Sequence, residues 1–243
     1  MTEPRIRSVT LAAADPGRLA AFYRDAIGLE AMGDGALGAG GRVLLRLVSA
    51  TAPAGGRPAT GLFHTAFLLP DRAALGGWFD HALRGGVALQ GASDHRVSEA
   101  VYLEDPEGNG IEIYADRPAA GWRDASGAIG MDTRPLDAEG LMEARAPWRG
   151  APDGTVVGHV HLRAAGLDTA PWEAMGMEVT ARLRGARFLG WDGYHHHVAL
   201  NTWGGTDLPP RPEGAPGLVA IDLRPDGAPV QPADPAGLTL RAA

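Results

Sequence analysis

The sequence predicts an α+β protein that is built from four similar units in a row. In each unit an alternating strand is followed by a helix and then by further strands, so the chain contains an internal repeat. The strands are predicted from the alternation of apolar and polar residues, and the helices from apolar residues that recur on one face. A chain of 243 residues has ample length to bury a core around such units.

The first unit shows the pattern most clearly. The stretch "RIRSVTLAA" predicts a strand, and the Asp-Pro pair that follows it is typical of the start of a helix. The predicted helix places Leu19, Phe22, Tyr23 and Ile27 on one face and stops at Gly28. The stretch "GGRVLLRLVSA" then predicts another strand.

The later units repeat this pattern with changes. The second contains "GLFHTAFLLPDRAALGGWFDHALRGGVAL" and "EAVYLEDPEGNGIEIYAD", and the third contains "GHVHLRAAGLDTAPWEAMGMEV" and "ARFLGWDG". The fourth is expected to begin at "YHHHVALNTW" and to continue in "GLVAIDLRP" and "DPAGLTLRA", with the proline-rich loop "GGTDLPPRPEGAP" in place of a helix. These units divide the chain into residues 1–125, a connector of residues 126–154, and residues 155–243.

The composition narrows the kinds of partner that the protein can have. All 22 basic residues are arginine, but 29 acidic residues give a net charge of −7, and the lack of a basic cluster argues against nucleic acid. Because no apolar run is long enough to span a bilayer and no signal-peptide pattern is present, we expect a cytoplasmic protein without a membrane partner. Since the chain has no cysteine, any metal must be held by His, Asp or Glu.

Glu112 is the residue that most needs an explanation. It occupies an alternating strand position just after the tight turn "DPEGNG", and a carboxylate buried there requires an ion pair or a metal. When the units are aligned, His64, His159 and His197 fall at equivalent positions near the start of strands, where the first unit has Ser8. Two neutral imidazoles and one carboxylate on one face are a ligand set typical of a mononuclear Fe(II) site.

Several long motifs together carry a specific resemblance. The stretches "GLFHTAFLLP", "GASDHRVSEAVYLEDPEGNGIEIYADRP", "GTVVGHVHL" and "GYHHHVALNTW" resemble the vicinal oxygen chelate superfamily, which includes glyoxalase I, bleomycin-resistance proteins and extradiol dioxygenases. Within this superfamily they are most similar to its catechol 2,3-dioxygenase-like members. The resemblance implies four βαβββ modules, the last one abbreviated, that form two half-open β-barrels.

The pairing of the modules decides which histidines can reach Glu112. If neighbouring modules pair, His64 and Glu112 lie in one barrel and His159 and His197 in the other, so each barrel lacks a ligand. If the second module pairs with the third, as in some members of the superfamily, His64, Glu112 and His159 converge and the metal triad is complete. We prefer this crossed pairing because it completes the ligand set. The other barrel then keeps three residues without a metal, namely Ser8, His197 and Thr239.

The resemblance singles out two further residues as catalytic. Tyr102 lies ten residues before Glu112. At the same spacing, extradiol enzymes have a tyrosine that forms a hydrogen bond to the substrate at the metal, and His95 resembles their acid–base histidine. Considered alone, His95 is explained equally well as a loop histidine that bonds Asp94. Packing in the core explains three other histidines at least as well as a role in a site does, and these are His161, His195 and His196.

The function that the resemblance implies is that of a ring-cleaving extradiol dioxygenase. Such an enzyme would hold Fe(II), with Mn(II) as the alternative, and would act on a catechol-type aromatic and dioxygen. A glyoxalase-like lyase or isomerase is a second interpretation, which would favour four ligands including two carboxylates. A metal-free binding protein of the bleomycin-resistance type is a third interpretation, and it needs no triad. The sequence leaves the presence of a homodimer open.

Overall fold

The computed structural model describes residues 4–56, 58–224 and 239–242, the last range by its backbone. These residues adopt a mixed, sheet-rich α+β fold with few helices, and the strands belong to one continuous 14-stranded sheet. Within the described ranges, no helix combines the length and the apolar character that crossing a membrane requires.

The first unit folds where the sequence predicts it. The Asp15 carboxylate accepts a hydrogen bond from the Arg18 amide at 3.0 Å, and Pro16 occupies the first turn, so both helix-start signals are used. The helix buries Leu19 and Tyr23 against the sheet. The elements of this unit are β1 (Ile6–Ala13), α1 (Pro16–Asp25), β2 (Glu30–Gly33), β3 (Ala36–Ala39) and β4 (Arg42–Ser49).

The second unit repeats this construction. The Asp71 carboxylate caps its helix by accepting a hydrogen bond from the Ala74 amide at 2.8 Å. The fully buried Trp78 joins the helix to the first unit, because its indole N–H donates to the carbonyl of Ala26 at 2.9 Å. The elements are β5 (Gly61–Leu68), α2 (Arg72–Arg84), β6 (Leu89–Asp94), β7 (Ser98–Glu104) and β8 (Gly110–Asp116).

The connector and the third unit follow. A 3-10 helix at Ala119–Gly121 follows β8, and the connector contains α3 (Ala138–Glu143). Helix α3 lies against α2 at Gly76, where a side chain would meet the carbonyl of Leu141. The third unit consists of β9 (Val156–Arg163), α4 (Ala170–Glu173), β10 (Glu178–Leu183), β11 (Ala186–Gly190) and β12 (Val198–Asn201). The remaining strands are β13 (Gly217–Leu223) and β14 (Thr239–Ala242).

One pairing pattern recurs in the three complete units. The first strand of each unit runs parallel to its last strand, so β1 pairs with β4, β5 with β8 and β9 with β12. The first strands of the second and third units also pair, because β5 runs antiparallel to β9, and β1 of the first unit runs antiparallel to β13. Strand β14 lies parallel to β13. The second and third units therefore share a sheet region in which their first strands are neighbours.

The expectation that "YHHHVALNTW" opens a fourth unit is wrong. Strand β12 pairs antiparallel with β11 and parallel with β9, so this segment supplies the last strand of the third unit. A tight reversal at Asp192 and Gly193, which both have positive φ angles, returns the chain from β11 to β12. The three histidines lie in this connection, because the strand itself begins only at Val198.

Alternation along the central strands separates two faces of the sheet. Phe67 of β5, Ile111 and Ile113 of β8, and Val160 and Leu162 of β9 join the main apolar core, which also contains the buried side chains of α1 and α2. The residues between them point to the opposite face. The sequence period of two thus places the histidines and the charged residues of these strands on the face away from the helices, whereas Thr65 of β5 lies on the same face as Phe67.

Candidate metal centre

Three side chains from three neighbouring strands meet on that opposite face. Strand β8 places Glu112 beside Ala66 of β5, and β9 places His159 beside the same alanine on its other side. His64 precedes Ala66 by two residues, so it points to the same face of β5. The small side chain of Ala66 leaves room for its neighbours, and the three side chains converge in a buried cluster.

The ligand atoms of this cluster form a small triangle. His64 Nε2 lies 3.0 Å from Glu112 Oε2, and His159 Nε2 lies 3.3 Å from each of these two atoms. Ligand atoms bound at about 2.1 Å to one ion, at right angles to each other, are about 3.0 Å apart. The spacing and the donor set of two imidazoles and one carboxylate therefore both fit a divalent metal such as Fe(II).

The electrostatics favour the protonation states that metal ligands need. Burial alone would raise the pKa of the Glu112 carboxyl, but His159 and His64 hold it well below its usual value through charge and hydrogen bonding. Burial lowers the pKa of His159, although Glu112 opposes this effect. The carboxylate is therefore ionised and the His159 imidazole is neutral at pH 7, as metal binding requires.

The turn before β8 fixes the position of Glu112. The carboxylate of Asp105 accepts hydrogen bonds from the amides of Glu107 and Asn109 and from the Asn109 side chain. Gly108 has a φ angle of 81°, which a residue with a side chain rarely adopts. Gly110 is required for a second reason, because a side chain there would meet the carbonyl of Phe63 and push β8 away from β5.

The triad opens into a cavity of about 350 Å³. Its walls combine aromatic side chains with groups that can form hydrogen bonds, which is the usual character of a small-molecule site. The connector also contributes to the cavity through Met131 and Thr133, which the sequence did not indicate. Residues that line it include Phe63, His95, Tyr102, His161, Arg163, Phe188, His196 and Trp203.

His95 and Tyr102 form a hydrogen-bonded pair in this cavity. His95 Nε2 lies 2.6 Å from the Tyr102 hydroxyl, and His95 Nδ1 lies 2.7 Å from the carbonyl of Asp132. Because the carbonyl can only accept, Nδ1 carries the hydrogen and Nε2 accepts from the tyrosine. The partners of the His95 ring are thus Tyr102 and Asp132, and the interpretation that pairs His95 with Asp94 is wrong. Burial and the nearby Glu112 raise the pKa of Tyr102 well above its usual value.

A second hydrogen-bonded chain reaches the cavity from the other side. His195 Nε2 lies 2.9 Å from Asp116 Oδ1, and His195 Nδ1 lies 2.8 Å from His196 Nδ1. Because the carboxylate accepts from Nε2–H, His195 Nδ1 accepts the hydrogen of His196 Nδ1, and His196 Nε2 keeps a lone pair. The His196 ring lies 4.1 Å from the His159 ring, centroid to centroid. His195 and His196 thus belong to the surroundings of the triad.

Sequence reasoning did not select His196 or His161, although both line the cavity. His161 lies opposite His64 in the β5–β9 register, and its Nε2 is buried without a hydrogen-bond partner. The sequence could have indicated His161, because it lies two residues after His159 on one strand and therefore on the same face. No comparable signal existed for His196, because it lies in a loop where alternation does not apply.

Two of the three residues that were assigned to the other barrel have contacts away from the triad. The Ser8 hydroxyl donates to Asp222 Oδ2 at 2.5 Å. His197 lines a separate cavity of about 760 Å³ together with Arg5 and Trp191, and its Nδ1 accepts a hydrogen bond from the Trp191 amide at 3.2 Å. Thr239 lies in β14, and its side chain is outside the described part of the chain.

Comparison with known proteins indicates the family. Residues 5–113 match the family model of the Glyoxalase/Bleomycin resistance protein/Dioxygenase superfamily. Over 170 residues the chain is 44% identical to the Catechol-2,3-dioxygenase of Bacillus subtilis (strain 168), an alignment that spans 67% of this chain and 59% of that protein. The matched part of the chain belongs to this superfamily.

Solved structures of glyoxalase I share the fold. Glyoxalase I from Zea mays has a TM-score of 0.51 and 13% identity, and the match covers 92% of this chain and 75% of that one. A mutant of the same enzyme has a TM-score of 0.53 and 12% identity, with 90% and 74% of the two chains covered. At these identities the similarity concerns the fold alone.

Proposed function

We propose that the protein is a metal-dependent extradiol dioxygenase that cleaves the ring of a catechol-type aromatic. The observation that carries this proposal is the buried triad of two imidazoles and one carboxylate, which opens into a cavity with aromatic walls. The 44% identical relative that bears the name Catechol-2,3-dioxygenase supports it. A small aromatic compound and dioxygen are the partners that follow from this proposal.

His64, Glu112 and His159 would hold the metal, which we propose is Fe(II), with Mn(II) as the alternative. When bound, the metal would act as a Lewis acid that lowers the pKa of the catechol hydroxyls and brings substrate and dioxygen together. All three residues come from one face of the sheet, so the cavity beside them remains available to the substrate.

Tyr102 and His196 are the groups that would act on the substrate. Because Tyr102 gives its hydrogen to His95, its oxygen is left to accept a hydrogen bond from a catechol hydroxyl. The lone pair on His196 Nε2 can take a proton from the substrate, and the chain through His195 to Asp116 stabilises the imidazolium that forms. We therefore propose that His196 transfers the proton and that His95 positions Tyr102, whereas the sequence suggested His95 for proton transfer.

We also propose that the paired strands form two half-open barrels. The barrel of β5, β8, β9 and β12 would surround the metal, and the barrel of β1, β4, β13 and β14 would have a structural role. The antiparallel pairs support this crossed arrangement, since β5–β9 joins the second unit to the third and β1–β13 joins the first unit to the strand that we assign to the fourth.

One test distinguishes the dioxygenase from two other functions. A glyoxalase-like lyase or isomerase would favour a second carboxylate at the metal, and the triad in the described part of the chain has only Glu112. A binding protein of the bleomycin-resistance type would need no metal at all. Oxygen consumption separates the dioxygenase from both, and metal content separates the binding protein from the two enzymes.

The experiment is anaerobic loading of the purified protein with Fe(II) or Mn(II), followed by oxygen-uptake assays with a panel of catechols. We expect about one ion per chain and one dioxygen consumed per ring-opened product. The matched control is the same protein after treatment with a chelator and again after reloading, which should lose and regain activity. Turnover that survives complete removal of the metal would contradict the proposal.

A further inference from the structure

The cavity side of β9 carries more polar groups than the metal centre uses. His159, His161 and Arg163 alternate with Val160 and Leu162, which point into the core. Because strand residues rise about 3.3 Å each, Arg163 lies roughly 13 Å along β9 from His159. A cationic side chain therefore lines the cavity at a distance from the triad.

Arg163 lacks an acidic partner in the part of the chain that the structure describes. Its guanidinium forms no ion pair or hydrogen bond there, and its aromatic neighbour is Phe63, whose ring centroid lies 6.0 Å from Arg163 Cζ. Two other arginines near the sheet are used differently, because Arg72 and Arg117 both pair with the buried Glu99. The guanidinium of Arg163 is therefore available to an anion in the cavity.

The other charges around the cavity do not neutralise Arg163. Among the described residues that line it, the carboxylates are Glu112 of the triad and Glu104 at the end of β7. Strand β7 is separated from β9 by β8 and β5, which is three strand spacings or roughly 14 Å along the sheet. One side of the cavity is thus cationic, and this side belongs to β9.

The space between the triad and Arg163 suits a planar ring with a side chain. Phe63 and Trp203 pack edge to face with ring centroids 5.5 Å apart, and Trp203 is 54% exposed at the mouth of the cavity. His161 lies between His159 and Arg163 on the strand and has a buried Nε2 without a partner. Apolar walls and one further polar group therefore connect the metal end to the cationic end.

We propose that the substrate is a catechol whose ring bears a carboxylate on a short side chain, and that Arg163 binds this carboxylate. The proposal rests on the proposed function, because the triad fixes the end of the cavity at which the two hydroxyls lie. His161 contributes a hydrogen bond to the side chain of the substrate. Unsubstituted catechol would leave the guanidinium without an anion and would be the poorer ligand.

The test compares dihydroxyphenylacetate, which has adjacent hydroxyls and a free carboxylate, with its methyl ester and with catechol. Anaerobic binding to the metal-loaded protein gives Kd values, and oxygen uptake gives kcat/KM for the same three compounds. We expect the wild-type protein to bind the acid at least about 10-fold more tightly than the ester, since a charge-assisted hydrogen bond is lost in the ester. In Arg163→Met, which keeps the apolar stem, this ratio should fall to about one, and Arg163→Lys should restore part of it.

Arg46→Met is the matched control, because Arg46 is an exposed arginine on β4 and does not line the cavity. It should keep the acid-to-ester ratio of the wild-type protein. Equal affinity of wild-type protein for acid and ester overturns the role of Arg163, whether or not turnover is seen. If catechol is cleaved but the acid has no advantage, only this inference fails. If no catechol consumes oxygen, the proposed function fails, and the Kd ratio still decides whether Arg163 binds an anion.

Discussion

The strand pairs β5–β9 and β1–β13 have the same antiparallel arrangement but carry different chemistry. In β1–β13, Ser8 and Asp222 lie opposite each other and form a hydrogen bond, so each satisfies the other. In β5–β9, imidazoles face one another, and both His159 Nδ1 and His161 Nε2 are buried without a partner. A polar pair that satisfies itself needs no ligand, whereas unsatisfied imidazoles around a cavity are typical of a binding site.

The difference also has an energetic side. A buried polar group without a partner destabilises the folded state by about 1–3 kcal/mol, so β5–β9 is the less favourable pair for folding alone. Binding of a substrate at His161 Nε2 would offset part of this destabilisation, because it would supply a partner to that nitrogen. Among the described residues, β1–β13 also has one such atom, the hydroxyl of Thr10, but the unpaired imidazole nitrogens belong to β5–β9 and lie at the triad and its cavity.

The largest effect is expected from substitutions that remove a ligand. His64→Ala, Glu112→Gln and His159→Ala should each weaken metal binding at least about 100-fold, because even outer partners of metal ligands contribute 10–100-fold. Ser8→Ala, at the corresponding place in β1–β13, should leave metal affinity unchanged. Metal content after dialysis and direct titration with Fe(II) or Mn(II) measure both.

His159→Ala is the decisive member of this set, since His159 lies 47 residues beyond Glu112. If it retained metal while His64→Ala lost it, the ion would be held without the third unit. Loss of metal in Ser8→Ala would remove the contrast between the two strand pairs. Circular dichroism of each variant shows whether the fold has survived the substitution.

The sequence predicted the elements of the first two units and the need of Glu112 for partners, because caps, alternation and turn residues act locally. The meeting of His64 and His159 followed only after one module pairing was preferred to another. Local signals could not show that β5 runs beside β9, since this depends on contacts between residues far apart in the chain. The metal role of the triad stays a proposal that the variants test.

The segment after β11 shows where sequence reasoning fails. "YHHHVAL" has the alternation of a strand start, but the positive φ angles at Asp192 and Gly193 make a reversal that places His195 and His196 outside the strand. Their bonds to Asp116 and to each other are contacts over long sequence distances, and no spacing indicated them. For the same reason, the sequence did not indicate that Met131 of the connector lines the cavity.

A smaller effect is expected from the groups around the triad. His196→Gln should retain metal and lower kcat by about 10²–10⁴-fold, because a proton-transferring group and not a ligand is removed. His95→Gln should lower kcat less, by about 10-fold, since it disturbs only the position of Tyr102. Single-turnover oxygen uptake with metal-loaded protein measures both. A larger loss of kcat in His95→Gln than in His196→Gln would mean that His95, and not His196, transfers the proton.

The smallest effect is expected from His197, which lines the cavity that also contains Arg5 and not the cavity at the triad. Burial and the positive charges of His195 and Arg5 lower the pKa of His197 to about 3. An unfolded chain has a histidine pKa of about 6.5, so between about pH 6.5 and 3 only the unfolded state binds this proton. The stability that His197 contributes is therefore complete above pH 6.5 and decreases as the pH falls.

This titration changes the free energy of unfolding by at most about 1.4 kcal/mol per pH unit. His197→Gln keeps an acceptor for the Trp191 amide but cannot titrate, so its unfolding free energy should fall less steeply between pH 6.5 and pH 4 than that of the wild-type protein. Denaturant unfolding with a chelator present removes any contribution from metal release, and the difference at pH 7.5 reports packing alone. Parallel curves for the two proteins would mean that His197 is protonated equally in the folded and unfolded states, which would contradict the lowered pKa of His197.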